Sequence, residues 1–167
     1  MGYKRLRIFD FDDTLVKTES FVYVENKNKI NKLSPGEFAL YEEKPGDKFD
    51  FKEFEDVKNP KEIRQMTFLL KKILSKGRGG VYILTARGSY KPIRKYLKEI
   101  NIDISRVYVK ALASNNPLDK ANWIKNKILN DGYNDVYYVD DSKKNIEAAR
   151  IVLDKLKVNF KLQHVKY

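Results

Sequence analysis

The chain has 167 residues, of which 42% are hydrophobic and 34% charged, a composition typical of one globular domain with room for a small insert. It has no cysteine and one histidine, His164, which excludes disulfide frameworks, thiol nucleophiles and histidine-cluster metal sites. The basic N-terminus lacks the apolar run of a signal peptide, and no apolar stretch approaches the roughly 20 residues that span a bilayer, so we expect a cytoplasmic protein.

The net charge of +11 is unevenly distributed along the chain. Residues 19–60 carry 7 basic and 10 acidic side chains, whereas residues 61–167 carry 23 basic and 10 acidic ones. The densest stretch, residues 63–98, has ten basic residues and no acidic one. Such a field favours anionic partners. A chain rich in Lys, Asn, Ile, Tyr and Phe also acquires basic charge through composition alone, and both interpretations stay open here.

The first third of the chain predicts a buried strand followed by smaller elements. The strand KRLRIFDFDD ends in carboxylates, and SFVYVENKNKI reads as two short strands joined by a turn at 26–29. Ser34 and Glu37 are spaced as a capping box around Pro35, which predicts a short helix. A turn at 45–47 follows, and three phenylalanines after it fit the small core of an insert.

From Asn59 onwards, helices and apolar strands alternate. The predicted helices cover 60–76, 89–100, 117–129 and 143–156, and the predicted strands cover 79–87, 106–111, 135–141 and 158–167. This alternation indicates an α/β fold with a parallel sheet covered on both faces and right-handed crossovers. Ligands of such sheets bind at the carboxyl ends of the strands, near the topological switch point.

Carboxylates follow two of the predicted strands. Asp10 and Asp12 flank Phe11, and both side chains lie on one face if the strand continues through Asp12. Two carboxylates that lie so near each other need a cation or a shared proton. Asp140 and Asp141 end another strand and can supply a further oxygen ligand. An oxygen-only set of this kind suits Mg²⁺.

Two further residues extend this set towards phosphate chemistry. Thr85 offers a hydroxyl at the end of a third strand, and Lys120 offers a cation at the start of a helix. Carboxylates, Mg²⁺, a hydroxyl and an ammonium group together fit a phosphoryl group better than any other small ligand.

The ordered motifs resemble those of the haloacid dehalogenase (HAD) superfamily. The segment DFDDT at 10–14 is similar to its first motif, and LTAR at 84–87 is similar to its second. Lys120 resembles the lysine of the third motif, and VDDSKKN at 139–145 resembles the acidic fourth motif. All four occur in the family's order and on the expected types of element, which makes the set more specific than any single motif.

The resemblance implies roles for these residues in a phosphatase. Asp10 would be the nucleophile that forms an aspartyl-phosphate, and Asp12 would be the general acid and then the general base. Asp10, Asp141 and the backbone carbonyl of Asp12 would hold Mg²⁺. Thr85 and Lys120 would bind the phosphoryl oxygens and stabilise charge.

Several positions leave alternatives open. Asp13 stands where glycine is common in the family, and a cap or flap role for it is preferred over catalysis. Asp140 competes with Asp141 as the metal ligand; Asp141 is preferred because it takes the place of the aspartate in the family's Gly-Asp pattern. Lys110 competes with Lys120, which is preferred because it opens a helix after a loop.

Two more residues near these motifs receive expectations. Arg87 lies beside the predicted pocket and is a candidate phosphate-binding residue, with an ordinary surface charge as the alternative. Asn145 is expected to orient Lys120 or the metal shell.

The family resemblance also implies the domain organisation. We expect a core of residues 1–17 and 59–167 with a Rossmann-like parallel sheet of about five strands, and a small cap insert of residues 18–58 after the first strand. Such a small cap implies an open site, which the family associates with large substrates.

The predicted function is therefore Mg²⁺-dependent hydrolysis of a phosphomonoester. The basic stretch 63–98 favours a nucleotide or a nucleic acid end, and LTAR is similar to the second motif of polynucleotide 3′-phosphatase domains. A small phosphorylated metabolite is the alternative substrate. A non-catalytic, basic nucleic-acid-binding domain is the alternative of another class. A response-regulator receiver is disfavoured, because its acidic groups come in a different order along the chain. The chain also has no GxxxxGK[ST] motif, so its sequence does not predict a kinase domain beside the phosphatase.

Overall fold

The computed structural model describes residues 2–167, in which strands and helices alternate after the first 60 residues. The strands are β1 (Arg5–Phe9), β2 (Val16–Lys17), β3 (Val22–Asn26), β4 (Lys29–Leu33), β5 (Lys48–Asp50), β6 (Lys61–Glu62), β7 (Gly80–Thr85), β8 (Tyr108–Ala111), β9 (Asp135–Asp140) and β10 (Asn159–His164). The α-helices are α1 (Pro35–Leu40), α2 (Arg64–Lys76), α3 (Lys91–Glu99), α4 (Pro117–Asp131) and α5 (Lys143–Leu156). Among residues 2–167, no helix combines the length and apolarity needed to cross a bilayer.

Five strands form one parallel sheet in the order β10-β9-β1-β7-β8. The predicted α/β fold, with a parallel sheet of five strands flanked by helices, is confirmed. The chain begins in the centre at β1 and later builds outwards on both sides, so the strand order reverses beside β1. The carboxyl end of β1 is therefore the switch point at which such sheets bind ligands.

The side chains of β1 show how the sheet divides the core into two layers. Leu6 and Ile8 pack with α4 and α5 on one face of the sheet. Phe9 and Phe11 pack with α2 and α3 on the other face. All four side chains are fully buried; Phe11 follows the end of β1, and Arg5 and Arg7 alternate with the apolar residues inside the strand.

The helix α2 begins later than its sequence predicts. Proline at position 60 suggested a helix start, yet Lys61 and Glu62 form β6, which pairs antiparallel with β2. The Ile63 backbone N–H then donates to the Leu15 carbonyl, so the chain stays extended up to that residue. The helix ends as predicted at Gly77, whose φ of +61° is the left-handed conformation that glycine adopts without strain.

The segment between β2 and β6 forms a separate antiparallel sheet in the order β4-β3-β5, followed by a short 3-10 helix (Lys52–Glu55). The predicted pair of strands is confirmed, with Lys27 and Asn28 in positive φ at the turn. The capping box of Ser34 and Glu37 forms at the start of α1 as predicted. Val22, Phe38 and Phe54 make a small core in this segment. Its role as a cap stays a prediction.

Candidate active site

Asp10 follows the last residue of β1 and lies at the switch point of the sheet. Its backbone N–H donates to the Val139 carbonyl over 3.0 Å, which fixes it beside the end of β9. One carboxylate oxygen accepts from Lys120 Nζ at 2.9 Å, and the other accepts from the Thr14 hydroxyl at 2.9 Å. The side chain is buried, so these contacts hold it in one orientation.

Asp12 lies in a turn and not in the strand. The Leu15 N–H donates to the Phe11 carbonyl, and Asp13 has a φ of +62°. The condition under which Asp10 and Asp12 share a strand face is therefore not met, because β1 ends at Phe9. The left-handed conformation at position 13 also explains physically why glycine suits this place and why aspartate is tolerated there.

Asp140, the last residue of β9, is a buried centre of hydrogen bonds. Its Oδ2 accepts from Lys120 Nζ at 2.9 Å, from Asn145 Nδ2 at 3.1 Å and from the Tyr138 hydroxyl. Its Oδ1 accepts from the Ser142 backbone N–H at 2.9 Å. Burial alone would raise the pKa of Asp140, but Lys120 and Tyr138 hold it below its ordinary value. This carboxylate is thus charged, and both of its oxygens accept hydrogen bonds.

Asp10, Asp140 and Asp141 form a cluster in which one oxygen of each lies within 4.8 Å of the others. Burial, and then the neighbouring Asp10 carboxylate, raise the pKa of Asp141 far above its ordinary value. Burial also raises the pKa of Asp10, with Asp140 adding to the effect and Lys120 opposing it. Asp10 and Asp141 must therefore share a proton or a cation. An all-oxygen donor set fits Mg²⁺.

Lys120 links two of the three carboxylates from the first turn of α4. Burial alone would lower its pKa, but the charges of Asp10 and Asp140 raise it above the ordinary value. Lys120 is therefore a buried ammonium group at the site. Lys110 lies on β8 and is exposed, and among residues 2–167 it makes no hydrogen bond to these carboxylates. Of the two candidate lysines, the fold brings Lys120 to the site.

The other predicted residues have the following places. Thr85 ends β7, is buried, and lines the same cavity as Asp10 and Lys120. Its hydroxyl accepts the Arg87 backbone N–H at 3.1 Å. Asn145 donates to Asp140, and through this contact it can orient Lys120 indirectly. The buried Oδ1 of Asn145 has no hydrogen-bond partner within residues 2–167.

Arg87 also lines the cavity, but its side chain is turned to other partners. Both oxygens of Asp12 accept from its guanidinium at 2.8 Å, and backbone carbonyls of Phe54 and Asp56 accept two further bonds. The fifth donor points to the Thr18 hydroxyl at 3.3 Å. No N–H of this guanidinium is left for a phosphoryl oxygen in this structure. The alternative of an ordinary surface charge is wrong, because Arg87 is fully buried.

The cavity at these residues is about 30 Å³, which is room for one or two water molecules. Pro35, Phe38 and Ala39 of α1 cover it. Asn115 Nδ2 donates to the carbonyls of Phe38 and Tyr41 at 2.7 and 2.8 Å and fastens the C-terminal end of this helix. Residues of α1 thus narrow the site, which the sequence predicted to be open.

Several contributors were not identified from the sequence. Thr14 lies inside the first motif but had no assigned role, although its hydroxyl contacts Asp10. Tyr138 stands two residues before Asp140, and the strand period of two was a usable signal for a shared face. Asn115 carries no local signal, because its partners lie 74 and 77 residues away.

Comparison with known proteins gives one structural similarity. No family model and no curated protein match the chain. A crystal structure of the Legionella pneumophila effector Ceg4, carrying an N-terminal yeast Hog1p sequence, superposes with a TM-score of 0.60 and 17% sequence identity. The match covers 98% of this chain and 88% of that one. At this identity the similarity extends to the fold alone.

Proposed function

We propose that the chain is an Mg²⁺-dependent phosphomonoester hydrolase of the HAD type that acts through an aspartyl-phosphate on Asp10. The observation that carries the proposal is the position of Asp10 at the switch point, between the Lys120 ammonium and the Asp141 carboxyl group. A nucleophile for phosphorus needs such a setting, because the phosphoryl group brings negative charge that the surroundings must offset.

The metal would be held by the Asp10 and Asp141 carboxylates and the backbone carbonyl of Asp12. When bound, Mg²⁺ would offset the negative charge on the phosphoryl oxygens. Asp140 would hold Lys120 in this arrangement, since Lys120, Tyr138 and Asn145 donate to its Oδ2 and the Ser142 backbone N–H donates to its Oδ1. The preference for Asp141 over Asp140 as the ligand therefore has geometric support.

The chain's own residues would divide the reaction into two steps. Asp10 attacks phosphorus and the bond to the leaving oxygen breaks, while Asp12 gives that oxygen a proton. Water then attacks the aspartyl-phosphate, Asp12 takes a proton from it, and the Asp10–phosphorus bond breaks. Lys120 and Thr85 would bind the phosphoryl oxygens in both steps, since both line the cavity with Asp10.

For the substrate, we propose a nucleotide or nucleic acid end, supported by the acid-free basic stretch 63–98. A small phosphorylated metabolite is a second candidate, because residues of α1 line the cavity and would restrict a large substrate beside Asp10. A non-catalytic nucleic-acid-binding domain would account for the basic charge but not for three clustered carboxylates around a buried lysine.

The test is a phosphatase screen with purified protein, Asp10→Asn and Asp12→Asn. Substrates are sugar phosphates, nucleotides and oligonucleotides phosphorylated at either end, with Mg²⁺, with chelator and with Ca²⁺. Asp10→Asn is expected to lose turnover, and Asp12→Asn to lose roughly 10²–10⁴-fold of the rate. Ca²⁺ should not replace Mg²⁺, because its looser geometry misplaces the nucleophile. Near wild-type activity in Asp10→Asn would refute the proposal.

A further inference from the structure

The buried guanidinium of Arg87 connects the turn after β1 to the segment before β6. Its Nε and Nη2 each donate to one oxygen of Asp12 at 2.8 Å, a bidentate pair. Its Nη1 donates to the carbonyls of Phe54 at 3.2 Å and Asp56 at 2.8 Å. Its Cζ lies 5.5 Å from the Phe11 ring centroid and 4.5 Å from that of Phe54. The hydrogen bonds thus restrict movement of the guanidinium within its plane, and the two rings restrict movement perpendicular to that plane.

We propose that Arg87 is a positioning residue that orients the Asp12 carboxyl group for proton transfer and does not bind the phosphoryl group. This inference rests on the proposed function, because it assigns a role relative to Asp12 in that reaction. It replaces the expectation that Arg87 is a phosphate ligand.

An inventory of acceptor sites on Asp12 supports this role. A carboxylate has about four lone-pair sites, two on each oxygen. Arg87 occupies one site on Oδ1 and one on Oδ2, and the Thr18 hydroxyl lies 3.5 Å from Oδ1. One site on Oδ2 is left for a proton, and the Asp12 side chain lines the cavity. Arg87 thereby fixes the plane of the Asp12 carboxyl group, and the Thr18 hydroxyl beside Oδ1 leaves Oδ2 as the oxygen that exchanges the proton.

The same contacts make this orientation depend on the segment before β6. The two carbonyls that Arg87 contacts belong to Phe54 and Asp56, which flank the end of the 3-10 helix. Without the guanidinium the buried Phe54 carbonyl would lose this donor, which is costly, and the Asp56 carbonyl would keep the Ser20 hydroxyl. The contacts that orient Asp12 through Arg87 are therefore complete only while this segment packs against the core.

The reaction gives a readout that separates positioning from general damage. An alkyl phosphate needs a proton on its leaving oxygen, so its first step depends on Asp12. The leaving oxygen of 4-nitrophenyl phosphate is a stable anion, so its first step does not need that proton. Both substrates need Asp12 as a base when water attacks the aspartyl-phosphate. Loss of positioning must then slow alkyl substrates first and leave an initial burst of nitrophenolate.

The experiment compares wild type, Arg87→Lys and the control Arg94→Lys with glycerol phosphate and 4-nitrophenyl phosphate in Mg²⁺. Arg94 is half-buried and, like Arg87, donates to two backbone carbonyls, those of Ile104 and Val107, but the contacts of its side chain do not include Asp12. In Arg87→Lys, glycerol phosphate turnover should fall roughly 10²-fold while the nitrophenolate burst rate changes by less than about 3-fold. Arg94→Lys should change both substrates in proportion.

Inhibition by inorganic phosphate distinguishes the two roles of Arg87 directly. A positioning role predicts the same inhibition constant in wild type and Arg87→Lys, whereas a phosphate ligand predicts weaker inhibition in the variant. An unchanged ratio of the two substrates, or weaker inhibition by phosphate, would overturn the inference.

Two further outcomes are covered by the design. If Arg87→Lys does not fold, Thr18→Val removes the hydroxyl that contacts both Asp12 and Arg87, and it should shift the substrate ratio in the same direction. An unchanged ratio in Thr18→Val would then count against the inference. If wild type has no Asp10-dependent turnover of either substrate, the proposed function itself fails, and the inference fails with it.

Discussion

The Nζ atom of Lys120 lies 2.9 Å from Oδ2 of Asp140, and both side chains are almost completely buried. This pair joins the first turn of α4 to the end of β9. Breaking a buried ion pair leaves an uncompensated charge, which is far more costly than losing a pair at the surface. The contact therefore holds Lys120 in place, and in the proposed function it leaves Asp141 as the metal ligand.

The division of labour between the two adjacent aspartates can be measured. Asp141→Ala should raise the Mg²⁺ concentration needed for half-maximal phosphatase activity more than Asp140→Ala does. Asp140→Ala should instead lower the free energy of unfolding by about 1–3 kcal/mol, because Lys120 loses a buried partner. Magnesium titrations of activity and urea unfolding of both variants check this. The reverse ranking in magnesium would assign the ligand to Asp140.

The raised pKa of Asp141 predicts how stability depends on pH without metal. Burial and the nearby Asp10 raise this pKa above its ordinary value of 3.8, so above that value the folded chain binds more protons than the unfolded chain. The free energy of unfolding should then fall as the pH rises. Asp141→Asn should flatten this fall and raise stability at pH 8 by about 1–2 kcal/mol.

Urea unfolding in chelator at pH 5, 7 and 9 measures the effect. Asp154→Asn is the matched control, since Asp154 is an exposed aspartate on α5 and should leave the pH dependence as in wild type. Mg²⁺ should stabilise wild type more than Asp141→Asn, because it replaces the shared proton. The same slope in wild type and Asp141→Asn would contradict the prediction.

The two hydrogen bonds from Asn115 to the C-terminal end of α1, here called the latch, should control access to the site. Asn115→Ala removes two hydrogen bonds and should cost about 1–2 kcal/mol locally, so the amides of α1 should exchange faster with deuterium. Lys144→Ala is the control: it removes an exposed pair with Glu42 just after α1 and should have little effect. Unchanged exchange in α1 of Asn115→Ala would exclude the latch.

The substrate class can be tested through the basic stretch. Charge reversal of Lys91, Lys95 and Lys98 should weaken turnover of a phosphorylated oligonucleotide and spare an aryl phosphate, because all three are exposed and outside the cavity. Arg94 is left unchanged, because it donates to backbone carbonyls. Oligonucleotide turnover should also fall steeply with salt. A metabolite that outcompetes every nucleic acid, or no effect of the reversal, would make the basic charge compositional.

The sequence alone predicted the sheet because its information is local and periodic. The apolar runs of β1, β7 and β9 and the helices between them identify a parallel α/β fold without knowledge of any contact. The ends of α2 and α1 were also marked locally, by Gly77 and by the capping box at Ser34. Rules of parallel topology then bring the ends of these strands together, which placed Asp10, Thr85 and Asp140 at one edge.

Tertiary structure decided what each of these polar side chains contacts. The pairing of Arg87 with Asp12 spans 75 residues, and that of Lys120 with Asp10 spans 110, so no spacing rule reports them. The late start of α2 also came from pairing, because β6 forms only against β2. The local sequence indicates the residue types and the ends of the strands, whereas the hydrogen-bond partner of each polar side chain depends on what the fold buries beside it. A buried donor must find an acceptor wherever the fold supplies one.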